Sequence, residues 1–215
     1  RLVRQAKKLS SISYNEMLEL ATLGAQVLNN RSVEIAKKYN VELEVLCSLN
    51  DLPGTVVKEV ISLEKMLISG VAKDDNISVI SVYGIPDVPG WAFRIFSKLS
   101  SKDINIDIIL QSAGEGDTKD ILFTVSKEKE QDAVNTLKRY CESLKGTIIK
   151  SDNDMAKVSI VGAGMETHPG IASKMFEALY LANINIKGVA TSEIKISVLV
   201  DKNDADEAVL AIHDA

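Results

Sequence analysis

The stretch VPGWAFRIFSKLSSKDINI, Val88 to Ile106, returns in outline as HPGIASKMFEALYLANINI, His168 to Ile186. Gly90 and Gly170, Phe96 and Phe176, Leu99 and Leu179, and Asn105 and Asn185 are each 80 residues apart. Residues shared in the same order at one offset oblige both halves to take the same local structure. Whatever fold the chain adopts must therefore contain a strand-turn-helix-strand unit twice.

Hydrophobic periodicity fills in the rest. The first unit reads as a strand (77–83), the Pro89-Gly90 turn, a helix (90–101) and a strand (104–111). The polar loop SAGEGDTKD leads to a strand (121–125), a helix (130–144) and a strand (147–150). The second gives a strand (157–161), Pro169-Gly170, a helix (171–182), a strand (185–190), a tight TSE turn, a strand (195–200) and a helix from Asp204. After the loop the offset falls to 75, pairing Ile121 with Ile196, Val125 with Val200 and Ala133 with Ala208. The five missing residues fall in the loop, where length changes cost little.

Each unit is thus β-α-β-β-α-β, an antiparallel sheet with both helices on one face and the other face free to meet a neighbour. The second unit lacks its last strand, which would leave a row of unpaired amides and carbonyls. The strand-like MLISGVA, Met66 to Ala72, is expected to fill that edge and so to make the second unit discontinuous.

Before the repeat, Ser13 and Glu16 form a capping box. Met17, Leu20, Ala21, Gly24 and Leu28 keep helical spacing after it. A short helix NNRSVEIAKKYN, a strand VELEV and a Pro53-Gly54 turn follow. This run has no counterpart in the repeat and reads as the tail of another domain. The first residue is Arg1 and the last lies inside a helical pattern, so the chain is expected to be a fragment of something longer.

Composition closes off several functions. A net charge of −5 and a pI near 5.2 oppose nucleic-acid binding, which leaves a basic footprint. A sheet of this kind that binds RNA stacks bases on aromatics of its central strands; DILFTV offers Phe123 alone, and its twin KISVLV none. No run is apolar for the roughly 20 residues of a membrane helix. Cys47, Cys141, His168 and His213 are too few and too scattered for a structural metal, and the cysteines suit a reducing cytoplasm. GAGMETHPG lacks the spacing and the Lys-Ser/Thr ending of a phosphate loop. His168 has no placed nucleophile beside it and reads as a turn residue, so no catalytic residue is assigned.

What the repeat does offer is a bare helix start. Glycine leaves the first helical amides open, and these amides with the helix dipole favour a carboxylate. Asp87 stands before the first turn, Asn105 and Asp107 on the following strand, and Asn185 in the second unit. Thr191, Ser192 and Glu193 add hydroxyls and a charge for an ammonium. An anion-accepting helix start beside an acid suits a free amino acid. The plainer reading stays open: Pro-Gly is ordinary turn chemistry, Asn-Ile can simply end a helix, and shared ancestry would keep both.

The residues as a whole resemble a known family. ISYNEMLELATLGAQVLNNRSVEIAKKYNVELEV is similar to the end of the kinase domain of aspartate kinases. GIPDVPGWAFRIFSKLSSKDINIDIILQS and VSIVGAGMETHPGIASKMFEALYLANINIKGVATSEIKISVLV are similar to that family's two ACT repeats. The resemblance implies an α+β fold of tandem ferredoxin-like βαββαβ ACT domains, preceded by a remnant of an amino-acid-kinase α/β domain. The implied domains are residues 1–63 (kinase tail and linker), 73–151 (first ACT) and 64–72 with 152–215 (second ACT). It implies feedback regulation by lysine and/or threonine of an ATP- and Mg-dependent phosphorylation of L-aspartate, in a homo-oligomer joined through ACT domains. The kinase domain is the implied partner, and no cofactor is expected in this part. Implied effector contacts are Asp87, Gly90, Ala92, Asn105, Ile106, Asp107 and Gln111, with Asn185, Ile186, Thr191, Ser192 and Glu193 from the second repeat. The chain departs from the family at Gln26, at Asn29-Asn30 and at Leu46-Cys47-Ser48, which puts the parent's activity in question. Trp91, in place of a small residue, is expected to narrow the first pocket. A dimerisation module without effector binding is the rival reading, and a separately made small subunit a third.

Overall fold

The computed structural model describes residues 2–25, 27–59, 67–141 and 146–215, apart from the side chains of residues 166 and 167. The chain forms two compact units: residues 1–74 with 157–215, and residues 75–156.

The unit of residues 75–156 is built on β5 (Ile77–Pro86), β6 (Ile109–Ala113), β7 (Thr118–Ser126) and β8 (Ile148–Asp152), in the order β6-β7-β5-β8. All neighbours are antiparallel. Helices α3 (Trp91–Ser100) and α4 (Glu130–Cys141) lie on one face. Alternation along the strands sends Ile80, Val82, Ile121, Phe123 and Val125 toward Ile95, Leu99, Ala133 and Leu137, all buried. Phe96 stacks edge-on against Phe123, with ring centres 5.6 Å apart.

The other unit carries the second copy: β9 (Met155–Val161), α5 (Ile171–Leu181), β10 (Gly188–Thr191), β11 (Lys195–Asp201) and α6 (Ala205–Asp214). The missing edge is filled by β4 (Gly70–Asp74), antiparallel to β9 with Gly70 opposite Val161, giving β10-β11-β9-β4. The expected segment is thus at the expected edge, shifted toward its C-terminal end; Met66 lies outside the described residues. Lys73 of β4 pairs with Asp206 of α6 at 2.8 Å. Every residue of β9 is buried, so the face turned away from the helices, expected to be free, is covered along this strand.

The tail belongs to the same unit. Here β1 (Ser11–Ser13), β2 (Leu43–Val45) and β3 (Thr55–Lys58) form a small sheet in the order β1-β3-β2, covered by α1 (Tyr14–Thr22) and α2 (Asn30–Tyr39). Strands β1 and β3 are short pieces that periodicity did not single out. The expected tail of a separate domain does not stand apart: Leu23, just past α1, packs with Ala72 of β4 and Val161 of β9.

Four helices stop in one way. After α1, α2, α3 and α5, a residue with positive φ (Gly24, Asn40, Asp103, Asn183) is followed by an amide that reaches back to a carbonyl five residues earlier. These bonds are Ala25 to Leu20, Val41 to Ala36, Ile104 to Leu99 and Ile184 to Leu179. This is the Schellman stop, which pins an apolar residue against the last helical turn. It corrects the strand expected from residue 104. Ile104 is buried because it ends α3, and the regular ladder begins only at Ile109. In the second repeat β10 likewise begins at Gly188 rather than Asn185. Of the expected 130–144 helix, residues 142–144 lie outside the described residues.

Candidate functional site

The helix starts differ by origin. In the tail, Ser13 caps α1 and Asn29 caps α2, each with its side chain accepting from a backbone amide. In the repeats, Gly90 caps α3 and Gly170 caps α5 with no side-chain bond. Their φ angles, 100° and 94°, lie in the left-handed region that glycine tolerates. A Cβ built on either meets no heavy atom within 4 Å. Backbone shape, not crowding, selects glycine there, and the space before the first amides is open. Those amides lack intrahelical partners and carry the positive end of the helix dipole. Ala92, the second residue of α3, is exposed.

The acid expected beside the first start is engaged. Asp87 pairs with Lys119 of β7 at 2.8 Å, both half-exposed, and its amide donates to Asp117 at 2.9 Å. Lys119 was not among the expected residues. The expectation that Trp91 narrows this pocket is corrected. Its ring packs against the unit's core, edge-on to Tyr140 of α4 with centres 6.2 Å apart, under the Arg94 guanidinium. His168 behaves as a turn residue, its Nδ1 2.9 Å from the Gly164 carbonyl oxygen.

The remaining residues lie at the opposite end of the sheet. Asp107 donates its amide to the Thr124 carbonyl at 3.3 Å, and Ile108 donates to the Thr124 hydroxyl at 3.0 Å. Asp87 sits beside Asp117, seven residues earlier on this stretch, which at ~3.3 Å per residue is about 20 Å away. Asn105 is exposed, and Ile106 is partly buried against the core. Gln111 lies between the two ends on edge strand β6, opposite Ile121, and therefore on the helix face. The second unit repeats the division. Thr191, Ser192 and Glu193 are exposed in the turn closed by the Ser192 amide on Lys195 O (2.8 Å). This turn adjoins the Gly162 amide, which bonds Ile194 O at 3.0 Å. Asn185 and Ile186 come at the other end, next to Lys187, whose amide meets Leu199 O at 2.8 Å. No one end of either unit gathers all of its expected residues.

One buried acid was legible only as a cap. Glu16 of α1 accepts from the Ser13 amide (3.1 Å) and hydroxyl (2.6 Å), completing the capping box. It also accepts from the Ser69 hydroxyl (2.5 Å) and the Ala163 amide (3.0 Å). Burial works to raise its pKa, but the hydrogen bonds from Ser13, Ser69 and Ala163 outweigh it and hold the carboxyl below its ordinary value. Among the described residues no three His, Cys, Asp or Glu are placed to hold a metal, and no helix is long and apolar enough to cross a membrane.

Comparison with known proteins bears on the fold and the family. The ACT domain family matches residues 80–140 and 158–215. The aspartokinase of Pseudomonas aeruginosa is 42% identical over 218 residues, spanning 100% of this chain and 53% of that protein. The chain thus spans about half the length of the curated relatives it matches. The ligand-free regulatory subunit of aspartate kinase from Thermus thermophilus superposes with a TM-score of 0.66 at 36% identity, covering 70% of this chain and 99% of that one. Aspartate kinase from Clostridium acetobutylicum superposes with a TM-score of 0.86 at 26% identity, over 100% of this chain and 50% of that one. Tandem ACT units, in a chain matched over its whole length by aspartokinases, place it in the aspartate kinase family, as its regulatory ACT-domain region.

Proposed function

We propose that this chain binds lysine and/or threonine at its ACT units and thereby inhibits, by feedback, the ATP-dependent phosphorylation of L-aspartate in a cytoplasmic aspartate kinase. The reaction, its ATP and Mg²⁺, and the kinase domain belong to the rest of such an enzyme. The effector's α-carboxylate is assigned to the uncapped amides after Gly90 and Gly170. Its ammonium groups are assigned to acids, amide oxygens and hydroxyls supplied by Asp87, Asn105, Asp107 and Gln111, and by Asn185, Thr191, Ser192 and Glu193. Ala92, Ile106 and Ile186 give the apolar wall.

The observation that carries this reading is the division of these residues between the two ends of each sheet. A single unit leaves about 20 Å between its Gly90 end and its Asp107 end. A second copy laid antiparallel along an open edge, β6 or β10, would bring the one end against the other. Both are edge strands, and an unpaired edge is a template for another chain. The effector would then join two copies and favour one placement of them. Differential affinity of about 1–3 kcal/mol shifts apparent affinity 5- to 150-fold. Binding one arrangement no better than the other would shift nothing.

Calorimetry of the protein with lysine and with threonine tests this, together with sedimentation in the presence of each. Saturable binding accompanied by stabilised dimers is expected. Heat from neither amino acid, with dimerisation unaffected, would favour the module that has lost its effector.

A further inference from the structure

Glu16 is the only acidic side chain that is buried among the described residues. Its capping duty involves one carboxylate oxygen. Oε2 serves the Ser13 amide and hydroxyl, a task that glutamine performs equally well in a capping box. Oε1 leaves the helix and ties α1 to two segments of the second repeat. Ser69 stands immediately before β4, and Ala163 opens the 3₁₀ turn Ala163–Thr167 that runs from β9 toward Pro169-Gly170. One turn further along α1, Glu19 pairs at 3.0 Å with Lys195, the first residue of β11, just beyond the Thr191–Glu193 turn. Both chain segments that flank the Gly170 end are therefore held by carboxylates of one short helix. That helix also belongs to the tail, where Met17 packs with Val33 and Val57.

We infer that Glu16 is a positioning residue of the regulatory response: it transmits occupancy of the Gly170 end to α1, and through α1 to the kinase-like tail. This rests on the effector reading above, because an amino-acid carboxylate settling on the amides after Gly170 is what would load the 163–170 turn. The Ala163 amide moves with that turn. Its bond to an ionised acceptor is charge-assisted and part-buried, so it is not easily replaced. Displacement of the turn must carry Glu16 with it or break the bond, and either event reaches α1. Ser69 ties the same oxygen to β4, so the sheet is the fixed side of the lever.

The test uses the full-length enzyme, with lysine and threonine as probes. Binding is measured by calorimetry, inhibition by aspartate phosphorylation, and α1 is followed by amide hydrogen exchange over residues 17–21. In the wild type, effector binding alters exchange in α1 and inhibits. Glu16→Gln keeps the cap, so effector affinity is expected to stay within about threefold while the concentration for half-inhibition rises at least tenfold and the exchange response of α1 is lost. Ser69→Ala, which keeps both acid and cap, is expected to shift inhibition the same way by a smaller factor. Unchanged inhibition in Glu16→Gln and in Ser69→Ala, with binding and inhibition intact in the wild type, would overturn the coupling alone. Affinity and inhibition lost in parallel with melting temperature would assign Glu16 a merely structural role and overturn it too. A wild type that binds neither amino acid would remove the effector reading and this inference with it.

Discussion

Gly90 offers a substitution whose structural cost and functional cost separate. A side chain there must adopt φ near 100°, in the left-handed region. For a non-glycine residue that costs about 1–2 kcal/mol. No packing cost is added, because a Cβ meets no heavy atom within 4 Å. Gly146, in the same unit, has φ 89° and an equally open Cβ position, but starts no helix. Gly90→Ala and Gly146→Ala should therefore lose the same stability, about 1–2 kcal/mol by urea unfolding. They should differ in binding. The methyl of Gly90→Ala stands before the uncapped amides of α3 and should weaken the corresponding calorimetric site at least tenfold, or about 1.4 kcal/mol. Equal effector affinity in the two variants would refute the assignment of the helix start as the carboxylate seat, whatever their stabilities.

Other consequences follow from single contacts. Gly24→Ala combines φ 97° with a Cβ only 2.6 Å from the Lys73 carbonyl oxygen, a backbone atom that cannot step aside. It should cost about 2–4 kcal/mol, from strain plus overpacking, as a lowered denaturation midpoint. Phe123→Ala removes a fully buried ring and its contact with Phe96, and should cost about 3–5 kcal/mol. The carboxyl of Glu16 is held below its ordinary value of 4.5 in the folded chain, so it contributes stability above that pH and loses it as the pH falls through the folded value. An acid titration of wild type against Glu16→Gln should show the two stabilities converging as the pH falls through the folded carboxyl's lowered value. Ile109, half-exposed on the open edge β6, should tolerate Ile109→Lys with little change in stability while weakening dimers in sedimentation.

The duplication was readable because what the two halves share is local chemistry. The left-handed Gly90 and Gly170 start α3 and α5, and Asp103 and Asn183 stop them with Ile104 and Ile184 tucked beneath. The Asn105-Ile106 and Asn185-Ile186 motif that suggested a strand edge lies just past this stop, ahead of the ladders that begin at Ile109 and Gly188. The alternating Ile104, Ile106 and Ile108 imitated a strand because a Schellman stop also buries an isoleucine. The filled sheet edge was legible by subtraction, since one unit had a strand fewer than its twin. Strand β3 was not, being four residues whose partners both precede it, β2 by ten to fourteen positions and β1 by forty-five. The same distance hid the second role of Glu16, because Ser69 and Ala163 are 53 and 147 residues downstream. Nor could sequence reveal that Asp87 is already paired with Lys119, or that Trp91 turns its ring to Tyr140.

Backbone amide shifts recorded while lysine or threonine is titrated into the protein test the central claim most directly. The account predicts that the largest changes fall on the amides following Gly90 and Gly170, and on residues 105–107 and 185–186 that a second copy brings against them. Changes confined to residues remote from both helix starts, or none at saturating amino acid, would contradict it.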